Sequence, residues 1–200
     1  MLDGAVRRLV GSPLDAAGRW LARHGATADG LTVGGFLTGL AASAAIAWGA
    51  TLLALLPLAL SRLLDGLDGA VARATRKTDR GGYLDITLDF VFYGSVPLAF
   101  ALRDEADALA AAVLLFSFYV NGASFLAFSA LAARRGMETV VRGEKTIYFT
   151  AGLAEGTETL AAFVAMCVWP GAFAWIAWSF AGLCLITAAS RVALAVRTFD

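Results

Sequence analysis

At 200 residues, with 59% hydrophobic residues and zero formal net charge, the chain is more apolar than a soluble domain, in which the apolar share runs near half. Its mean hydropathy of +0.71 points to a membrane protein. Balanced charge provides no bulk attraction for nucleic acid, which is not expected as a partner.

Residues 2–25 set Leu2, Val6, Leu9, Leu14, Trp20 and Leu21 among Arg7, Arg8, Arg19 and Arg23 at roughly helical spacing, with a break expected near Gly11–Pro13. The pattern reads as an amphipathic helix on the membrane surface, or equally as one packed on the cytoplasmic face of a bundle. It lacks the apolar core of a cleavable signal peptide. A spanning helix needs about 20 predominantly apolar residues. Six stretches qualify, over 32–49, 51–73, 82–102, 107–132, 147–169 and 172–196. The expected fold is an all-α integral membrane protein, with six transmembrane helices (32–196) plus the N-terminal interfacial helix, in one domain over 1–200.

Lysine and arginine placement orients such a bundle. The N-terminal segment is basic, as are the 74–81 loop (Arg76, Lys77, Arg80) and the 133–146 loop (Arg134, Arg135, Arg142, Lys145). Connections near 50, 104 and 171 hold only Arg103, beside Asp104, Glu105 and Asp107. Both termini are therefore expected on the cytoplasmic side of a bacterial inner (plasma) membrane. Cys167 and Cys184 sit in apolar runs without metal-ligand spacing and read as buried thiols, or as a disulfide if their helices touch.

The polar exception is the stretch from Asp65 to Asp89. Asp65 and Asp68 fall in the last turns of the second span, Asp85 and Asp89 in the first turns of the third. Spacings of three and four put each pair on one helical face. A short loop makes the two helices antiparallel, so four carboxylates converge at the membrane boundary, where unpaired they would repel one another. An all-oxygen cage suits Mg²⁺ or Mn²⁺, and four carboxylates suffice for two ions, an apparatus for phosphoryl-type displacement. Gly69 lets a substrate approach the backbone. Ala72 and Arg73 continue that stripe with a small residue and a phosphate-seeking guanidinium. Gly81 and Gly82 open the next helix, where free N–H groups favour anions. The plainer alternative is a hairpin of ordinary ion pairs, such as Asp65 to Arg62 or Asp79 to Arg76.

These residues resemble the signature of the CDP-alcohol phosphotransferase family, Asp-x-x-Asp-Gly-x-x-Ala-Arg followed by Gly-x-x-x-Asp-x-x-x-Asp. Asp65, Asp68, Gly69, Ala72, Arg73, Gly81, Asp85 and Asp89 fill it, with seven residues between Arg73 and Gly81 where eight is commoner in the family. The resemblance implies that Asp65, Asp68 and Asp85 ligate metal, with Asp89 completing the set and serving as the general base on the acceptor hydroxyl. It implies that Gly69, Ala72 and Arg73 hold the CDP group. It also implies a reaction: an alcohol attacks the β-phosphorus of CDP-diacylglycerol and CMP is released, with homodimeric assembly. "ADGLT" resembles a Pro-Asn-x-Leu-Thr segment of some members, with Asp29 in the asparagine's place. Thr32 there is a nucleotide contact or, with Asp29, a helix cap. "RGEKTIYF" resembles a Gly-Lys-x-Lys-Thr-like loop, which makes Lys145 a candidate phosphate ligand. Arg134, Arg135 and Arg142 read more plainly as positive-inside or headgroup contacts.

"GLAEGTETL" places Glu155 and Glu158 inside the fifth span. If that helix enters at about Thr146, they lie ~14 and ~18 Å deep at a rise of 1.5 Å per residue. Intramembrane acids are costly and usually functional. They read as a pair satisfied by Arg62 or Arg191, as the lining of an acceptor pocket, or as an ion path. We expect at least one of them to be linked to Arg62 or Arg191 and to shape the acceptor cavity. Asn121 and Ser124 read as helix–helix hydrogen bonds.

The function expected is phospholipid biosynthesis, by transfer of a phosphatidyl group from CDP-diacylglycerol to a polar cytoplasmic alcohol. Glycerol 3-phosphate, serine and an inositol compound all remain open as acceptors. The rivals are a UbiA-type prenyltransferase, which would use two separated aspartate motifs, and a small transporter built on Glu155 and Glu158, for which no inverted repeat is apparent.

Overall fold

Threonine caps fix where two of the helices begin. The Thr27 hydroxyl accepts the Gly30 N–H (3.1 Å), and the Thr78 hydroxyl accepts the Gly81 N–H (3.0 Å), each satisfying a donor that a helix N-terminus leaves open. The computed structural model describes residues 3–137 and 154–199. Its α-helices are α1 (Asp3–Arg23), α2 (Ala28–Ala47), α3 (Leu55–Ala74), α4 (Asp79–Arg103), α5 (Ala108–Arg134), α6 (Gly156–Val168) and α7 (Phe173–Phe199). Single 3-10 turns at Glu105–Asp107 and Pro170–Ala172 join α4 to α5 and α6 to α7. There is no strand among the described residues.

Four segments are long and apolar enough to cross a membrane: Ala28–Ala47, Asp79–Arg103, Glu105–Arg134 and Pro170–Phe199. Of the other two expected spans, α3 covers most of 51–73 and carries Arg62, Asp65, Asp68 and Arg73, while residues 147–153 of the 147–169 stretch lie outside the described residues and α6 forms its remainder over 13 residues. The break expected at Gly11–Pro13 does not occur, and α1 runs through Pro13. A proline removes a single backbone donor, and the packing of α1 along α3 accounts for its persistence as one helix.

The seam between α1 and α3 is tight. A Cβ on Gly18 would lie 2.5 Å from Ala70 Cβ and 2.8 Å from the Ala70 carbonyl carbon, so only glycine permits this approach. Leu14 packs over Gly66 in the same seam. α2 is wedged between α3 and α4, which contact it more than they contact each other. Gly35 and Gly39 face that wedge, Gly39 against the Phe92 ring and the Ser61 hydroxyl. Small residues at helix contacts are the usual means of close packing in lipid.

α5 packs on α4 and α7. Aromatic side chains fill the centre: Phe100 stacks on Phe173 at 4.3 Å, and Phe163 meets Phe92 and Phe118 edge-on, each at 6.2 Å. At the end away from the α2 N-terminus, Arg103 bonds Asp107 (2.8 Å) and the Pro170 carbonyl (3.1 Å), tying the two tight connections together. Leu53, Leu56 and Trp175 are 75–81% exposed, an apolar exterior suited to acyl chains. Cys167 and Cys184 are buried free thiols.

Candidate active site

α3 descends and α4 returns, so residues pair in reverse order across the gap: Arg62 meets Asp89, while Asp65 and Asp68 meet Asp85. Ligand oxygens of Asp65, Asp68 and Asp85 all lie within 4.8 Å of one another. Opposite oxygens around an octahedral Mg²⁺ stand about 4.2 Å apart, so small side-chain rotations close this cluster onto an ion. Three hard carboxylate donors fit a divalent cation.

The fourth acid stands apart from the three. Asp89 Oδ1 accepts the Arg62 Nη1–H at 3.0 Å, and the same nitrogen lies 3.7 Å from Asp65 Oδ1. Arg62 is therefore part of this cluster rather than a partner of Glu155 or Glu158. Residue spacing left this open, because Arg62 precedes Asp65 by one turn but also lies on the face that meets α4.

Thr32 has a role that the sequence did not single out. It is not the cap of α2, which is Thr27. Its hydroxyl donates to Asp68 Oδ2 at 2.6 Å, and Asp68 is buried at 6% exposure. Asp29, likewise not a cap, pairs with Arg80 across the starts of α2 and α4. A Cβ on Gly81 would meet Asp29 Oδ1 at 3.1 Å, so the glycine makes room for that carboxylate. The anion role expected of the Gly81 and Gly82 amides is not available here. The Gly81 N–H bonds the Thr78 hydroxyl, and the Gly82 N–H bonds the Thr78 carbonyl at 3.1 Å.

Gly69 leaves space for the Arg73 guanidinium, whose Nη1 lies 3.3 Å from where a Cβ would be. Arg73 itself donates twice to Asp15 Oδ1 on α1, from Nε at 3.2 Å and Nη2 at 2.7 Å. Asp15 is a residue that sequence reasoning missed, since only the folding of α1 onto α3 reveals it. Ala72 is half-buried on the same helix. A small cavity lies between the acids, lined by Thr32, Gly35, Phe36, Arg62, Asp65, Asp85, Leu88 and Asp89.

The second group of candidates assembles elsewhere. Arg191 of α7 donates to the Asn121 carbonyl (3.0 Å), Asn121 Oδ1 (2.9 Å) and the Ser124 hydroxyl (2.8 Å), so Asn121 and Ser124 do link helices. Glu155 lies within electrostatic reach of Arg191. Glu155 is not inside a helix, however: it precedes α6, which begins at Gly156, with Glu158 in its first turn. The depths of about 14 and 18 Å assumed one helix running from Thr146 through Glu158 at 1.5 Å per residue, and they do not hold because α6 starts at Gly156. Lys145, with Arg142 and Thr146, lies outside the described residues.

An all-helical chain with apolar helices of membrane length and a carboxylate cluster where two of its helices meet has the makings of a metal-assisted membrane enzyme. The chain belongs to the CDP-alcohol phosphatidyltransferase family, whose model matches residues 26–187. It is accordingly a transferase of phospholipid biosynthesis, and neither the prenyltransferase nor the transporter reading has support. It is 47% identical over 193 residues to Inner membrane protein YnjF of Escherichia coli K12, covering 96% of this chain and 94% of that one. That relative's name and the apolar helices fit a membrane protein. An archaetidylinositol phosphate synthase of Methanothermobacter thermautotrophicus is 36% identical over 134 residues, covering 64% of this chain and 67% of that one. Another, of Pyrococcus horikoshii, is 42% identical over 98 residues, covering 48% of this chain and 52% of that one. The fold is similar to that of Mycobacterium tuberculosis phosphatidylinositol phosphate synthase, solved with CDP-DAG bound. The TM-score is 0.71 at 24% identity, over 91% of this chain and 92% of that one.

Proposed function

We propose that this enzyme transfers the phosphatidyl group of CDP-diacylglycerol to a polar alcohol and releases CMP. The observation that carries the reading is the cluster of Asp65, Asp68 and Asp85, with Asp89 one turn beyond on α4. The enzyme works as one domain over residues 1–200 and as a homodimer. α3 and α6 complete six crossings, α1 lies at the membrane surface, and the site and both termini face the cytoplasm, as the basic segments suggest.

Asp65, Asp68 and Asp85 would hold Mg²⁺ or Mn²⁺, with Asp89 contributing to a second ion. Such ions neutralise diphosphate oxygens and make CMP a better leaving group. Thr32 keeps Asp68 oriented. Arg73, exposed at the end of α3, turns from Asp15 to the substrate's phosphates, with Gly69, Ala72 and Gly81 leaving room beside it and Lys145 reaching the phosphates from the 133–146 loop. Asp89 accepts the proton of the acceptor hydroxyl. The freed oxygen bonds the β-phosphorus as the bond from that phosphorus to the bridging oxygen breaks, and CMP leaves with the electron pair.

Among glycerol 3-phosphate, serine and inositol compounds, an inositol phosphate ranks first. The activity named for the two archaeal relatives favours it, and Arg191, with Glu155 near it, offers a cation for the acceptor's phosphate and a carboxylate for its hydroxyls. Glu158 lines the same region.

The test is CMP release from CDP-diacylglycerol by the purified protein, acceptor by acceptor. Inositol phosphate should support turnover that EDTA abolishes and Mg²⁺ or Mn²⁺ restores. Absence of CMP release with all three acceptor classes would refute the reading.

A further inference from the structure

Arg62 enters the carboxylate cluster as a fixed charge. Its guanidinium carbon lies 4.2 Å from the centroid of the Phe92 ring. Its Nη2 donates to the Ser61 hydroxyl at 3.1 Å, and its Nη1 donates to Asp89. Its side chain is 14% exposed. Ring, hydroxyl and carboxylate hold it on three sides, and Phe92 and Ser61 are themselves fully buried, so the group is held in place beside the cavity it lines.

Its position bears on how the acids can share cations. In a carboxylate-bridged pair the two ions stand about 3.5–4 Å apart. With one ion held by Asp65, Asp68 and Asp85, a second would fall to Asp89. Arg62 Nη1 already spans Asp65 and Asp89, at 3.7 and 3.0 Å. A divalent ion arriving there would meet a unit positive charge already held by Asp89, Ser61 and Phe92.

We propose that Arg62 is a positioning residue that makes the two ion sites unequal: the first ion binds tightly at Asp65, Asp68 and Asp85, and the second binds weakly beside Asp89. Arg62 also fixes Asp89 through Oδ1 and leaves Oδ2 facing the reaction, since a carboxylate has acceptor capacity for both tasks. The inference rests on the proposed metal-dependent transfer but concerns the chain's own cation.

Mn²⁺ binding to the full-length protein in detergent, followed by the electron paramagnetic resonance signal of free Mn²⁺, reads this without turnover. The wild type should bind one Mn²⁺ tightly and a second at least roughly tenfold more weakly, a modest share of what a unit charge a few ångströms away exerts on a divalent ion at an effective dielectric near 20. Arg62→Met keeps a side chain against Phe92 and should tighten the second site by about tenfold or more, and by a larger factor than the first site, whose ligand Asp65 lies 3.7 Å from the same nitrogen. Arg62→Lys keeps the charge and should retain the unequal pair. Two equal sites in the wild type, or a folded Arg62→Met variant with an unchanged second site, would overturn the proposal while leaving the metal-dependent reading intact. No Mn²⁺ binding by the wild type would instead overturn that reading, and this one with it. If Arg62→Met unfolds, Arg62→Gln removes the same charge while keeping a polar group beside the Ser61 hydroxyl, and should tighten the second site in the same way.

Discussion

Replacing Thr32 with valine deletes one hydroxyl and almost nothing else, since the two side chains share size and branching. In the folded chain that hydroxyl donates to Asp68 Oδ2 at 2.6 Å, and Asp68 is 6% exposed, so water cannot readily take its place. A hydrogen bond to a charged group contributes about 1.5–3 kcal/mol net. Loss of an outer partner of a metal ligand typically weakens metal affinity by about 10–100-fold, which agrees with that energy at 1.4 kcal/mol per factor of ten. Thr32→Val should therefore raise the Mg²⁺ or Mn²⁺ concentration for half-maximal CMP release by about that factor, with much of kcat recovered at saturating metal. Thr32→Ser, which keeps the hydroxyl, should stay near the wild type. A folded Thr32→Val variant with wild-type metal dependence would show that Asp68 needs no orientation from α2.

Asp89→Asn should lower CMP release by about 10²–10⁴-fold, the usual contribution of a general base, while the tight Mn²⁺ site persists. Full activity in that variant would remove Asp89 from the reaction. Arg191→Ala should raise KM for a phosphorylated acceptor by about 10–100-fold, the loss expected for a charge-assisted bond, with KM for CDP-diacylglycerol unchanged; equal rises in both would assign Arg191 to packing. Gly18→Ala and Gly122→Ala form a paired test by thermal unfolding in detergent. The added methyl at 18 meets the Ala70 backbone and should cost about 1–3 kcal/mol. The one at 122 would stand even closer, 2.3 Å from Phe90 Cε1, but Phe90 is 41% exposed and can swing aside, so the loss should be smaller. The reverse order would refute the seam between α1 and α3.

What could be read before folding was whatever a single helix determines. Spacings of three and four set Asp65 with Asp68, and Asp85 with Asp89, whatever surrounds them, so the outline of the site was visible. Partners across helices were not. Arg62 had carboxylates one turn away on its own helix and intramembrane acids elsewhere, and only the lateral placement of α4 decides for Asp89. Thr32 looked like a cap because polar residues cluster at Thr27, Asp29 and Thr32, and its true partner is 36 positions away. Glu155 was misplaced because the apolar run 147–169 carries no obvious stop, whereas the helix in the structure starts at Gly156. The contact between Asp15 and Arg73 had no signal in local pattern at all.

The glycine seam has a mechanical consequence. Gly18 rests on the backbone of Ala70, three residues before Arg73, and α1 holds Arg73 through Asp15 one turn earlier. With so little slack between the two backbones, α1 cannot tilt or roll without disturbing that arginine. Any displacement of α1 is thereby transmitted to the end of α3, where Asp15 holds the Arg73 guanidinium.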